Sequence, residues 1–143
     1  MVKKLAVLIF VTLMLWSNAY SQAELDEALN KLTGPNEKTW TYSRFEKYLG
    51  NNKCKAGESW TFLRNHKVII KKCVKGDIQS EEKAWSAEKR NALDIAMKVG
   101  DTEYLVLFPP PKKGSHRQGM ILRVKGAGKG EPTKDLIFYY EVD

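Results

Sequence analysis

Cysteine and histidine are scarce in this chain of 143 residues, which has two of each. Two cysteines allow a single bridge and exclude a disulfide-dense scaffold. His66 and His116 have no metal-ligand spacing, so we expect exposed loop side chains and no metal site. The chain also lacks a nucleophile elbow, a Ser-x-x-Lys motif and the Walker spacing, and we interpret the glycine-rich residues 126–130 as a hairpin loop. The sequence therefore predicts neither catalysis nor a cofactor.

Long apolar runs are also few, and the longest one lies at the start of the chain. Residues 5–16 are apolar apart from Thr12 and follow two lysines, and residues 18–23 are mostly small. The run is shorter than the roughly 20 residues of a membrane span, so it predicts a cleaved signal over residues 1–21, possibly to 23, rather than an anchor. The alternative is a buried N-terminal helix. With a signal, the protein is secreted or periplasmic, and residues 22–143 form its single domain.

The remaining composition is that of a folded domain, because 43% of the residues are hydrophobic. The formal charge of +7 comes from 24 bases interspersed with 17 acids. Since the predicted signal carries two lysines and no acid, the mature charge is +7 − 2 = +5. Mixed charge of this kind is typical of a solvated surface, so nucleic acid is not expected as a partner.

Export determines how the two cysteines are interpreted. Cys54 and Cys73 have no CxxC spacing, and an oxidising compartment favours a structural disulfide between them. A pair of free thiols is the alternative. A hairpin that turns at Asn65 would pair Cys73 with about residue 58, so we expect Cys54 in the preceding loop, tied to a strand end.

The body of the chain alternates like a sheet. Leu25, Ala28, Leu29 and Leu32 predict one helix over residues 23–32, which Gly34 and Pro35 end. Eight short alternating segments follow at regular spacing and predict an all-β, antiparallel up-and-down barrel of about eight strands. The segment at 77–88 is polar and is expected to be edge-like or strongly exposed. The predicted strands are residues 38–45, 58–63, 66–73, 77–88, 92–99, 103–108, 118–125 and 134–142.

Several motifs then resemble the small secreted lipocalin-like proteins of Bacteroidetes-type bacteria. The likeness runs from about residue 25 to 142. Lys38 stands where the lipocalin signature has glycine, two places before its tryptophan, and Arg123 is the match for the late arginine that packs across that tryptophan in the family. The motifs are, in order, Gly34…Lys38-Thr39-Trp40, Cys54, Trp60-Thr61-Phe62, Cys73, Ala84-Trp85-Ser86, Leu93-Asp94-Ile95 and Tyr104-Leu105-Val106.

The resemblance and the aromatic content together predict a monomer that binds a small hydrophobic or amphipathic molecule inside the barrel. Arg123 or Arg44, if inward, would pair with an acidic head group. Plain core packing of the same aromatics is the alternative. The candidate ligand-binding residues are Trp40, Trp60, Phe62, Trp85, Tyr104, Phe138 and Arg123.

The stiff, basic segment Pro109–Arg117 suggests a different function. Three consecutive prolines cannot lie within a strand, so the segment is a long loop that either gates a barrel mouth, contacts a partner, or is an inert connection. A protein-interaction or inhibitor module acting through Lys112, Lys113, His116 and Arg117 is therefore one alternative. An OB-like binder of anionic polymers, using basic loops beside aromatics, is another.

Overall fold

The computed structural model describes residues 22–42, 58–89, 95–124 and 135–141. Helix α1 covers residues 22–33 of this part of the chain. Eight strands follow in the predicted order. They are β1 (Glu37–Tyr42), β2 (Ser59–Leu63), β3 (Lys67–Val74), β4 (Asp77–Lys89), β5 (Ile95–Val99), β6 (Thr102–Leu107), β7 (Arg117–Val124) and β8 (Asp135–Glu141).

The strands form a closed antiparallel barrel in sequence order, and β8 returns to pair with β1. This confirms the predicted eight-stranded lipocalin-like barrel with a short N-terminal helix. Closure removes the two long edges that an open sheet of eight strands would present. The predicted strand ends at residues 43–45, 92–94, 125, 134 and 142 lie outside the described residues.

Alternation decides which side chains fill the barrel. On β1, Trp40 is fully buried whereas Thr39 is exposed. The same period of two runs through the other strands and separates an inward set from an outward set. The inward set forms one core, built from Leu32, Trp40, Trp60, Phe62, Val68, Ile70, Trp85, Met97, Val99, Tyr104, Val106, Met120, Leu122 and Phe138.

Helix α1 covers one end of the barrel, here named the helix end, where the turn at residues 64–66 and the loop at residues 108–116 also lie. Leu32 is buried, and its carbonyl accepts a hydrogen bond of 2.9 Å from Trp40 Nε1. Arg64 Nη1 donates to Asn30 Oδ1 at 2.8 Å, and Lys89 forms an ion pair with Glu24. The helix is therefore fixed to β1, to the β2–β3 turn and to β4.

Gly34 ends the helix in a left-handed conformation with φ of 60°. Its N–H donates to the carbonyl of Asn30 at 2.9 Å, which satisfies a group that the last helical turn leaves unpaired. The predicted end of the helix at Gly34 and Pro35 is confirmed. No helix within the described ranges is long and apolar enough to cross a membrane.

The opposite end, here named the hairpin end, carries the tight turns at Lys75–Gly76 and Gly100–Asp101. Both residues of the first turn have positive φ, 53° and 91°, as a two-residue hairpin connection requires. Strand β4 pairs with β3 from Asp77 to Ala84 and with β5 only from Trp85 onward. Its first six residues are exposed, as predicted, but Trp85 is buried, because β4 joins the barrel wall at that residue.

Candidate functional site

The six aromatic residues predicted to bind a ligand all point into the barrel, where they belong to one buried core. Trp60 lies centrally, with its ring 6.1 Å from Phe62, 6.2 Å from Tyr104 and 5.2 Å from Phe138. Trp40 and Phe62 have no exposed surface at all, and Phe138 is 1% exposed. A side chain without accessible surface borders no space large enough for water, inside or outside. These three residues therefore form packed core.

Trp85 is also structural. Its indole Nε1 donates to two backbone carbonyls, Leu63 O at 3.1 Å and Lys67 O at 3.0 Å, and so ties β4 to both sides of the β2–β3 turn. Its ring meets Phe62 edge-on at 5.8 Å. The exposed ring of His66 lies 5.0 Å away on the turn, which confirms the predicted loop position of that histidine.

Part of the aromatic core reaches the surface toward the hairpin end. Trp60 and Tyr104 are each 8% exposed, and half-buried Tyr42 stacks on Phe138 at 5.3 Å. Trp60 and Tyr104 meet edge to face at 79°. Aromatic surface of this kind offers apolar contact beside polar groups. Contact with a small molecule at the predicted residues is therefore sterically available at this end.

Charged side chains follow the aromatics on the same inward face of β3 and β4. Lys72 is in phase with buried Val68 and Ile70, and Glu81 is in phase with Trp85. Lys72 Nζ lies 3.0 Å from Glu81 Oε1, and Lys83 Nζ lies 3.6 Å from the same oxygen. Two ammonium groups thus share one carboxylate, leaving one unit of positive charge.

The electrostatics of this group follow from these contacts. The hydrogen bond from Lys72 is the main cause that lowers the pKa of Glu81, so the carboxylate stays ionised. Burial raises the pKa of the Tyr104 hydroxyl, while its hydrogen bond with Thr102 and the positive charge of Lys72 oppose the rise. Tyr104 is therefore a neutral hydrogen-bonding group near a cation. We name Trp60, Tyr104, Lys72, Glu81 and Lys83 the hairpin-end cluster.

A cavity of about 220 Å³ adjoins this cluster. It is lined by Lys72, Val74, Gln79, Ser80 and Glu81. A space of this size is smaller than the pockets that enclose a drug-sized ligand, but it accommodates a small polar head group. No motif in the sequence joins Lys72 to Glu81. The sequence feature that could have brought these two residues together is the tight turn at Lys75–Gly76. This turn sets the register between β3 and β4, and that register makes Lys72 and Glu81 diagonal neighbours.

Arg123 corrects a prediction. It lies on the outer face between inward-pointing Leu122 and Val124, and it forms a two-pronged ion pair with Asp135, with both N–O distances 3.0 Å. This pairing raises the pKa of Arg123 and lowers that of Asp135. Arg123 therefore neither faces a ligand inside the barrel nor packs across Trp40.

Lys38 takes the position expected of the arginine. Its Nζ lies 4.7 Å from the centre of the Trp40 ring and 4.1 Å from that of Tyr140. The same atom donates to Lys31 O at 3.0 Å and to Gln118 Oε1 at 2.8 Å, so it joins α1, β1 and β7. Burial lowers the pKa of this ammonium group. Its two acceptors and two aromatic faces make it a structural cation of the helix end.

The loop predicted to contact a partner has a defined conformation at the helix end. Residues 110–117 are all exposed. Ser115 N–H donates to Lys112 O at 2.9 Å, Arg117 N–H donates to Ser115 Oγ at 3.1 Å, and the guanidinium of Arg117 lies 4.3 Å from the centre of the Tyr139 ring. Lys113 and His116 are exposed beside them. Because the loop lies at the helix end, it does not cover the hairpin-end cluster.

Cys73 is disulfide-bonded and lies near the hairpin end of β3. Its N–H donates to Glu58 Oε1 at 3.1 Å, which confirms the position expected from a hairpin turning near Asn65. Cys54 lies outside the described residues, so the Cys54–Cys73 pairing stays a prediction. Arg44 and residues 126–130 also lie outside the described residues.

A second cavity, about 500 Å³ in volume, lies on the outer wall over β4, β5 and β6. Its polar side chains include Glu88, Lys98, Asp101 and Glu103. None of the aromatic residues predicted to bind a ligand lines it. Within the described ranges, no group of three or more histidine, cysteine, aspartate or glutamate side chains is arranged to hold a metal ion.

Comparison with known proteins adds no relative. No protein-family model matches this chain, and no curated protein or solved structure matches it. The barrel itself is the evidence on which function must be argued, and the family resemblance in the motifs stays a prediction.

Proposed function

We propose that this protein is an exported, non-enzymatic lipocalin-like binding protein that takes a small amphipathic molecule with an anionic group at the hairpin end. The ligand would lie on the hairpin-end cluster instead of in the depth of the barrel. The packing of Trp40, Phe62 and Phe138 supports this placement, because at most 1% of the surface of each residue is accessible. Trp60 and Tyr104 are the inward aromatics that retain some accessible surface near the charged group.

The observation that carries the proposal is the shared carboxylate of Glu81. Lys72 and Lys83 both approach this one carboxylate, so the three charged groups together carry one net positive charge. An incoming carboxylate or similar anion would complete the pairing, while its apolar part covered Trp60. Partial exposure limits each such ion pair to roughly 1 kcal/mol, so the aromatic contact would supply most of the affinity.

The test uses dodecanoate and dodecanol, which share an apolar chain and differ in charge, with Trp fluorescence and calorimetry as readouts. Lys72→Met should weaken dodecanoate binding by about fivefold and leave dodecanol binding unchanged. Lys67→Met is the matched control. Lys67 lies on the same strand and pairs with Glu82 at 3.1 Å, but on the outer face. Absence of dodecanoate binding, or equal effects of the two substitutions, would refute the proposal.

A protein-interaction module is the second candidate, and the defined conformation of the Pro109–Arg117 loop favours it. Its internal hydrogen bonds hold Lys112, Ser115 and Arg117 in place, so a partner would meet a preformed surface. Pull-down from periplasmic extract tests this candidate. Loss of a specific partner on deletion of residues 110–116 would support it, and an unchanged pull-down would count against it.

The anionic-polymer alternative has less support. Exposed Lys71 and Lys75 lie at the hairpin end, whereas Lys112 and Lys113 lie at the helix end. A binding stripe for a polyanion requires its bases on one continuous surface. The described bases are divided between two ends of the barrel.

A further inference from the structure

The first half of β4 has a neighbour on one side only. From Asp77 to Ala84 it pairs with β3, whereas β5 begins its pairing at Trp85. The β5–β6 turn reaches β4 at Ala84, whose carbonyl accepts a 2.9 Å hydrogen bond from Gly100 N–H. Residues 77–82 are exposed, and no other described strand lies along them. The closed barrel thus retains a short open strand edge.

The hydrogen-bond pattern identifies which backbone groups face outward from this edge. Trp85 N–H donates to His66 O on the β3 side, so odd-numbered residues of β4 direct their backbone groups toward β3. Even-numbered residues face the other way, as the Ala84 carbonyl shows. Ile78, Ser80 and Glu82 therefore present three N–H and three C=O groups along the open edge. Such a row is a template for a further strand.

We propose that this edge pairs with the same edge of a second copy of the chain, antiparallel, with Ser80 opposite Ser80. Only even-numbered residues have outward backbone groups, so this pairing aligns all three with their counterparts: Ile78 with Glu82, Ser80 with Ser80, and Glu82 with Ile78. Each aligned pair exchanges two hydrogen bonds. The dimer is symmetric, which closes the assembly at two copies and prevents growth into a fibre.

Charge complementarity selects this register. With Ser80 on the two-fold axis, Asp77 of each copy lies opposite Lys83 of the other, and Glu81 lies opposite neutral Gln79. A slip of two residues in one direction brings Glu81 opposite Asp77, and a slip in the other brings it opposite Glu81 of the second copy. Like charges directly opposite are destabilising. The monomer expected from the sequence would then be the low-concentration form.

A covalent trap tests both the contact and its register. The double variant Asp77→Cys/Lys83→Cys should form disulfide-linked dimers under mild oxidation, because opposed non-hydrogen-bonded residues have Cα atoms about 4.5 Å apart, within the range of a disulfide. Either single variant alone should form no disulfide-linked dimer, and a mixture of the two single variants should form one. Asp77 and disulfide-bonded Cys73 lie on opposite faces of the hairpin, which separates the new thiols from the native bond.

Sedimentation velocity over a concentration series measures the untrapped equilibrium. Ser80→Pro removes an outward N–H from each copy without breaking the ladder to β3, and it should weaken association by about tenfold with unchanged circular dichroism. Lys83→Glu should also weaken it, and the charge swap Asp77→Lys/Lys83→Glu should restore it. A wild-type protein that stays monomeric at all concentrations, or a charge swap that restores nothing, would overturn the proposal.

Discussion

Replacing Trp40 by phenylalanine removes the indole N–H that holds the helix to the barrel while keeping an aromatic ring in the core. Trp40 is fully buried, and its Nε1 donates to Leu32 O at 2.9 Å. Its ring also lies 6.2 Å from Phe108 and 6.0 Å from Tyr140. The substitution therefore tests whether one side chain couples α1 to the sheet.

The expected cost has two parts. Phenylalanine is smaller by about three heavy atoms, and at about 0.8 kcal/mol for each buried methylene equivalent this loss is about 2 kcal/mol. Loss of the hydrogen bond to the Leu32 carbonyl costs about 1 kcal/mol more. The free energy of unfolding should therefore fall by about 3 kcal/mol, and Tm by about 12 °C for a domain of this size.

Trp60→Phe is the matched control for the hydrogen-bond part. Trp60 is also buried among aromatics, but its Nε1 donates to no described residue. The Trp60→Phe variant should lose only the packing contribution, so its free energy of unfolding should fall by about 2 kcal/mol, as measured by urea unfolding followed by circular dichroism. Amide exchange in residues 22–33 should accelerate in Trp40→Phe and stay unchanged in Trp60→Phe. Equal losses of stability, or undisturbed exchange of the helix amides in both variants, would refute the coupling.

Three further predictions concern single residues. Burial lowers the pKa of Lys38 in the folded protein from its ordinary 10.5, so between the folded and unfolded pKa values the unfolded chain binds one more proton. The free energy of unfolding of the wild type relative to Lys38→Met should therefore rise with pH through that interval, which urea titrations at several pH values would measure. A difference that does not change with pH would contradict the lowered pKa of Lys38. Gly34→Ala should cost about 1 kcal/mol in the same urea assay, because φ is 60° at that position, and a neutral effect would mean that the helix end relaxes. Cys73→Ser should leave one titratable thiol at Cys54 and lower stability by about 3 kcal/mol, whereas two free thiols in the unreduced wild type would disprove the pairing.

Local patterns in the sequence were sufficient for much of the fold. Alternation placed Trp40, Trp60 and Phe62 on inward faces, and helical spacing followed by Gly34 predicted α1 and its end. The same alternation places Arg123 on the face opposite to inward-pointing Leu122. The pattern of β7 by itself therefore indicates that Arg123 points outward. The position of Arg123 expected from the family resemblance was therefore wrong.

The sequence by itself determined the elements and their faces, since a period of two and a tight turn depend only on neighbouring residues. Only the tertiary structure decided what those faces meet. Barrel closure packs Trp40 and Phe62 without free space, and the stagger between strands brings Lys72 to Glu81 and leaves Ile78–Glu82 with an open edge. These outcomes depend on register between segments far apart in the chain, which sequence periodicity does not specify.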